Sequence, residues 1–417
     1  MTVTTSSQPQ FRSKRQQVLY NRQLRHNSNA PILNQTAFRQ CERIYKKRGP
    51  NPPLTDVLDF HNLADNKDKL RSNVVEVELK KGLRNLSPLF GECDENYSKN
   101  ALRAYVLRNV PGFIFIPNPW TPAAQRHILK NCIGKYARHP NKCSLDANYE
   151  LPAEGLWPIH ARIRQGVLSG NESDCYIPLL SDGGHEQVQY GDRQDEEGES
   201  RELVREIEGK KAHVSHLLKR IRWVTLGYQY HWGSKSYHLD QRMPFPKDIG
   251  ELSIAVARAV EGIGLDEQEV NQDAVSEEGR NGWRNVFPGD KFRPEAGVIN
   301  YYQLRDTLMA HVDRSELCMD PPLISFSFGH SCIYLMGGPT RDYPPVPVLL
   351  RSGDIVVMTG PCRKGYHGVP RILESTLPEY LYPNAECEGD NDGIDWTLFG
   401  EYMLETRVNV NVRQVFP

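Results

Sequence analysis

From Arg222 to the C-terminus, apolar and polar residues alternate in short runs rich in aromatic and β-branched side chains, separated by Gly and Pro. Period-two alternation is the mark of strands with one buried face, so this stretch predicts an antiparallel β domain of jelly-roll type, interrupted by a polar insert at residues 266–290. Its last strand is the clearest. In Arg407-Val408-Asn409-Val410-Asn411-Val412-Arg413 the valines share one face and Arg407, Asn409, Asn411 and Arg413 the other.

Upstream the period changes. Phe38, Cys41 and Tyr45 recur at helical spacing, so ordered structure is expected to begin near Ala37. The apolar run Pro111-Gly112-Phe113-Ile114-Phe115-Ile116-Pro117 predicts a buried strand. After it, Thr121-Pro122 offers a helix N-cap with proline at the first helical position, and Ile128, Leu129, Cys132 and Ile133 keep one apolar face. Between Gln165 and Lys211 the patterning fades into an acidic run, Asp192, Asp195, Glu196, Glu197, Glu199 and Glu202, read as an inserted loop with a helical part at Glu202 to Glu208. The fold class is therefore α+β. Four regions follow: a disordered basic segment 1–36, an N-terminal extension 37–164 packed on the core, an acidic insert 165–211, and the β domain 212–417.

Composition narrows the picture modestly. The 51 basic and 52 acidic residues nearly cancel, so affinity for a polyanion has to come from local patches. Nine cysteines with no Cys-x-x-Cys pair, and no secretory leader, fit a reduced, intracellular, soluble protein with no membrane span. Residues 1–31 contain no acidic side chain but carry Arg12, Lys14, Arg15, Arg22 and Arg25, which suits a mitochondrial transit peptide, a nuclear address or a solvated tail.

Candidate chemistry concentrates in the β domain. His311 and Asp313, two residues apart in an expected strand, would project together while Val312 points away. His367, in Tyr366-His367-Gly368 after the strand-like Gly353-Asp354-Ile355-Val356-Val357, adds a second imidazole. Two histidines and one carboxylate leave half of a metal's coordination sphere open, the arrangement that suits a non-haem Fe(II) holding a cosubstrate and O2. Arg407 and Arg413 stand about 20 Å apart along the final strand. Guanidinium groups on a mostly apolar wall need anionic partners, and a small dicarboxylate would satisfy them.

The combination of Asn300-Tyr301-Tyr302, His311-x-Asp313, the distal His367 and Arg407-x5-Arg413 resembles the AlkB family of Fe(II)- and 2-oxoglutarate-dependent nucleic-acid dioxygenases. The resemblance runs from Trp223 to Val415. In phrases such as His311-Val312-Asp313-Arg314-Ser315-Glu316 it is closest to the subfamily of the animal homologue designated first, where it extends N-terminally through Gly112 to Pro119. It implies a double-stranded β-helix core with a nucleotide-recognition lid and iron held by His311, Asp313 and His367. It also implies 2-oxoglutarate held at its far carboxylate by Asn300, Tyr302 and Arg407, with Arg413 and Asn409 near the metal end and Tyr301 among the cofactor-binding residues.

Substrate readings rest on the same likeness. Tyr228, Gln229, Tyr230 and Trp232 follow the Leu226-Gly227 bend where the family keeps its lid, and an enzyme acting on a base must unstack it against such faces. Trp157 resembles an upstream aromatic that reaches substrate, and Lys219, Arg220, Arg222 and Lys235 are candidates for phosphate. Two departures concern the substrate path: Met358 stands where the bacterial enzyme has tryptophan, and both inserts are longer than usual. The implied activity is oxidative demethylation or oxidation of modified bases in tRNA and/or DNA, with a histone as another possible partner. Alternatives are an abasic-site DNA lyase and a non-catalytic reader of modified nucleic acid.

Overall fold

The computed structural model describes residues 36–48, 53–93, 102–180, 211–231, 233–234, 236–270 and 281–417. The expected helix at Glu202 to Glu208, most of the acidic insert and residues 271–280 of the second insert lie outside these residues, as do residues 1–35, Trp232 and Lys235.

Helix α1 (Ala37–Lys46) starts where the apolar spacing placed it, with Thr36 capping the Arg39 amide and Phe38 and Tyr45 buried. Strands β1 (Val74–Glu78), β2 (Arg103–Leu107) and β3 (Val110–Ile116) follow, then helices α2 (Pro122–Lys130), capped by Thr121, and α3 (Leu156–Arg164). The β domain contributes β4 (Trp223–His231) and β5 (Ser236–Arg242), helix α4 (Lys247–Ala259), and β6 (Ala296–Gln303). Next come β7 (Leu308–His311), β8 (Leu323–Gly329), β9 (Cys332–Met336) and β10 (Val346–Leu350). The chain closes with β11 (Ile355–Met358), β12 (His367–Ile372), helix α5 (Thr397–Met403) and β13 (Thr406–Arg413).

The two larger antiparallel sheets are a nine-stranded one in the order β1-β2-β3-β11-β8-β13-β6-β4-β5 and a four-stranded one in the order β7-β12-β9-β10, beside two two-stranded ribbons. The alternation of each strand sorts its side chains between two cores. Ile114, Ile324, Phe326, Val357, Val408, Val410 and Val412 face the helices, where they meet Leu129, Ile159 and Val256. Phe113, Phe115, Leu323, Val356 and Met358 face the small sheet, against Tyr334, Met336, Val348 and Ile372. β3 pairs with β11 in the middle of the large sheet, so the N-terminal extension is built into the barrel wall and does not merely lie on it. All nine cysteines are free, and among the described residues no helix is long and apolar enough to cross a membrane.

Candidate active site

β13 lies inside the large sheet between β8 and β6 and turns its polar residues toward the space between the sheets. Its neighbours are set by register: Tyr302 of β6 lies opposite Arg407, Asn300 opposite Asn409, and Ser327 of β8 opposite Asn409 on the other side. Arg407 is 1% exposed. It donates from Nη1 to the His330 carbonyl at 2.8 Å and from Nη2 to Ser327 Oγ at 2.9 Å, while its buried Nε has no partner. No carboxylate faces this guanidinium among the described residues. A buried cation without an anion is costly, so the arrangement fits a site that waits for one. Asn409 is held by Ser325 Oγ and the Phe326 carbonyl, both at 2.9 Å, and lines the same face.

The two histidines come from the small sheet. Between the registered pairs Leu308 with Val369 and His311 with His367, β7 carries one extra residue, a bulge of the kind that re-aims side chains beside active sites. Gly368 makes the approach possible, because a Cβ there would lie 2.9 Å from the Leu308 carbonyl oxygen. The imidazole centroids are 4.4 Å apart. Nδ1 of His311 donates to the Met309 carbonyl at 2.9 Å and Nδ1 of His367 to that of Gly365 at 3.3 Å, which leaves each Nε2 free for a metal. Asp313 completes the group, with oxygens 3.8 Å from His311 Nε2 and 3.7 Å from His367 Nε2, and all the candidate ligand atoms lie within 4.8 Å of one another.

The expectation that one strand carries both His311 and Asp313 needs correction. β7 ends at His311 because its partner β12 begins at His367, so Asp313 sits in the segment beyond. That segment is fixed by charge instead of by a ladder. Arg413 Nη2 reaches Asp313 Oδ2 at 2.7 Å, and Arg363 Nη1 donates to the Asp313 carbonyl at 2.9 Å. Both arginines also pair with the fully buried carboxylate of Glu316, at 3.4 and 3.2 Å, and Tyr237 of β5 donates to that carboxylate at 3.1 Å. Glu316, Arg363 and Tyr237 escaped the sequence reading. Their signal was faint: an acid three residues after Asp313 and a base four before His367.

Electrostatics favour ligation. Burial, then the neighbouring His367, pushes His311 down to about 4, so its imidazole is neutral at ordinary pH. Burial acts to raise Asp313, but Arg413 and the two histidines outweigh it and hold the carboxyl well below its usual range. The donor set is two imidazole nitrogens and one carboxylate oxygen, which fits Fe(II) with open positions. Burial raises the Tyr302 phenol, and its strand partner Arg407 lowers it while Asp313 raises it.

Three candidates lie elsewhere. Tyr301 points the opposite way from Tyr302, as neighbours in a strand must, and its hydroxyl donates to the Cys132 carbonyl at 2.5 Å within the helix-side core. Trp157 is also core, stacked on Phe399 at 4.3 Å and edge-on to Tyr402 at 6.0 Å. Gln229 is buried and satisfied, accepting from Thr225 Oγ1 and donating to the Gly227 carbonyl at 2.9 Å. It stitches the bend at Gly227, whose φ of 69° and 2.1 Å approach of a would-be Cβ to the Glu295 carbonyl admit only glycine.

Beyond that bend, Tyr228 and Tyr230 are partly buried on one face of the β4–β5 hairpin, packed against Tyr237, Ala296 and Val415. The Arg242 guanidinium lies 5.2 Å over Tyr228, and Tyr230 meets Tyr237 at 5.3 Å. Lys219, Arg220 and Arg222 are engaged with Glu405, Tyr149 and Asp306, which argues against a dedicated phosphate role.

Residues 179–413 match the 2OG-Fe(II) oxygenase superfamily. A mouse protein named nucleic acid dioxygenase ALKBH1 is 35% identical over 398 residues, covering 91% of this chain and 84% of its own. A Schizosaccharomyces pombe protein named tRNA demethylase abh1 is 31% identical over 318 residues, covering 76% of this chain and 82% of its own. An Arabidopsis thaliana protein named DNA N(6)-methyladenine demethylase ALKBH1A is 27% identical over 396 residues, covering 92% of this chain and 97% of its own. With the family pattern spanning more than half of the chain and a relative above 30% identity along nearly all of it, this protein belongs to the AlkB family within the 2OG-Fe(II) oxygenase superfamily.

Proposed function

We propose that this dioxygenase oxidises N-methyl groups on nucleobases of tRNA or DNA, with His311, Asp313 and His367 holding Fe(II) and Arg407, Tyr302 and Asn300 holding the far carboxylate of 2-oxoglutarate. The observation that carries the reading is the fully buried Arg407, without a carboxylate partner and with its Nε unpaired, in the same inter-sheet space as a two-histidine, one-aspartate cluster. The chemistry supplied by the bound metal and cosubstrate couples oxidative decarboxylation of 2-oxoglutarate to succinate and CO2 with hydroxylation of a methyl C–H, one oxygen atom of O2 going to each product, and the resulting hemiaminal releases formaldehyde.

The chain's own residues bind, orient and exclude water. The carbonyls of Met309 and Gly365 fix the histidine tautomers, Arg413 keeps Asp313 ionised, and Ser327 with the His330 carbonyl aims Arg407. No protein acid or base is required. Tyr228 and Tyr230 offer faces against which an extruded base stacks, the usual device of enzymes that act on bases. Nucleic acid as substrate class is supported by the names of the three relatives, one specifying tRNA and one DNA. The acid-free, arginine-rich segment 1–31 supports delivery to mitochondria or nucleus.

The decisive test is nucleoside mass spectrometry of total tRNA and of methylated DNA oligonucleotides incubated with the protein, Fe(II), 2-oxoglutarate and ascorbate, with His311→Ala as control. A modified nucleoside lost only with intact His311 identifies the substrate. Succinate formation without any change in a nucleoside would refute the nucleic-acid reading while leaving the oxidase reading in place.

A further inference from the structure

The bulge in β7 brings His311 to His367, and it also leaves the residue before His311 outside the registered pairs with β12. That residue, Ala310, is served from elsewhere in the chain. Its N–H donates to Glu42 Oε1 of α1 at 2.7 Å, and its carbonyl accepts from Arg341 Nη2 at 2.9 Å. Glu42 is 3% exposed although it lies on a helix at the surface of the small sheet. Its other oxygen is held by Arg39 at 3.0 Å, and Arg39 in turn reaches the Met309 sulfur at 3.5 Å. The helix itself is seated by the Phe38 amide on the Arg341 carbonyl at 3.0 Å and by the Phe38 ring over Gly337, where a Cβ would fall 2.8 Å from ring atoms. A carboxylate buried at this depth needs strong donors, and here one of them is the peptide that adjoins a candidate metal ligand.

We propose that Glu42 is a positioning residue for the metal centre: by taking the Ala310 amide it stands in for a missing strand partner and fixes the end of β7 from which His311 projects. α1 thereby belongs to the supporting shell of the iron site, although it lies some 270 residues away in sequence. The inference rests on the reading of His311, Asp313 and His367 as metal ligands.

Its test is anaerobic titration of the full-length, metal-free protein with Co(II), followed by visible absorption, beside circular dichroism to establish folding. Glu42→Ala is expected to weaken Co(II) binding by roughly tenfold, the usual scale for losing a group that orients a ligand. Glu42→Gln, which keeps an acceptor oxygen for Ala310, is expected to restore most of that loss. Arg341→Ala, at an exposed side chain, should weaken binding in the same direction by a smaller factor. Wild-type affinity in folded Glu42→Ala overturns the proposal, as does a fall in thermal stability with no change in affinity. Should Glu42→Ala fail to fold, unchanged affinity in Arg341→Ala overturns it instead. Absence of Co(II) binding by the wild type would refute the metal reading itself.

Discussion

Arg413 and Asp313 form the shortest ion pair of the candidate centre, 2.7 Å from Nη2 to Oδ2, and both side chains are largely shielded from water. Because Arg413 also faces Glu316 and Tyr237, it lies at the junction between the candidate metal ligands and the β4–β5 hairpin. Replacing it with methionine keeps the apolar bulk but leaves the Asp313 carboxylate without its cation, while Glu316 keeps Arg363 and Tyr237. Loss of one partner from a buried pair costs about 3–5 kcal/mol. Arg413→Met is therefore expected to lower the melting temperature of the metal-free protein clearly, and added Co(II) should raise the variant's melting temperature more than the wild type's, since a bound cation replaces part of the missing charge. Equal metal-free melting temperatures would refute this account.

Arg407 is aimed by two hydrogen bonds, and its Nε donor is left without an acceptor. A lysine has a single point of charge and cannot reproduce the planar fork. Arg407→Lys is expected to weaken 2-oxoglutarate binding roughly 10- to 100-fold, the scale of hydrogen bonds to charged groups, while Co(II) affinity stays near wild type. Calorimetric titration of 2-oxoglutarate into the Co(II)-loaded variant measures the first quantity. Unchanged 2-oxoglutarate affinity would remove Arg407 from the cosubstrate site.

The residues that a sequence displays best are those fixed by local periodicity. The Arg407 to Arg413 alternation, the buried strand through Phe113 and Phe115 and the Thr121 cap all lie where short-range chemistry dictates. His311, Asp313 and His367 could be picked out because few residue types suit a metal, and the fold brings the three together. What stayed hidden was long-range. Glu316 with Arg363, and Glu42 with Ala310, are joined only once the barrel closes, and an isolated Glu or Arg in a sequence looks like any solvated charge. Tyr301 and Trp157 show the opposite error. Each sits in a suggestive stretch, but Tyr301 is turned away by strand alternation and Trp157 is buried by packing on Phe399.

Trp157 gives a direct check of that correction. Truncating a buried tryptophan usually costs about 3–5 kcal/mol, and here the ring is wedged between Phe399 and Tyr402. Trp157→Ala should lower the urea midpoint accordingly, and at a temperature where it remains folded its KM for an oligonucleotide should match that of the wild type. A raised KM with unchanged stability would return Trp157 to the substrate site.

Tyr230 is expected to behave in the reverse manner. It is partly buried on the hairpin, edge-on to Tyr237, and its hydroxyl lies 3.3 Å from Ser315 Oγ, two residues from Asp313. Stacking of a base on an aromatic ring is worth about 1–3 kcal/mol. Tyr230→Ala should raise the oligonucleotide KM by roughly that equivalent and leave succinate formed without nucleic acid unchanged, as measured by parallel coupled assays. A loss of substrate-independent succinate would mean that the ring supports the metal centre and does not hold the base.

Away from the centre, His61 donates from Nε2 to the fully buried Asp354 at 2.8 Å, and Asp354 also accepts the amides of Asn118 and Arg351. Burial acts to lower the His61 pKa, but the hydrogen bond to Asp354 and its charge, aided by Asp59 and opposed by Arg351, raise it above the ordinary 6.5. A group whose folded value is raised stabilises the fold fully below the unfolded value, and that contribution disappears as pH rises through the folded value. The melting-temperature gap between wild type and His61→Phe should therefore be widest near pH 6 and narrow toward pH 9, as followed by differential scanning calorimetry in buffers of matched ionic strength. A gap that is constant across this range, or that widens with pH, would show that His61 is held by packing alone and that its charge on Asp354 does not contribute.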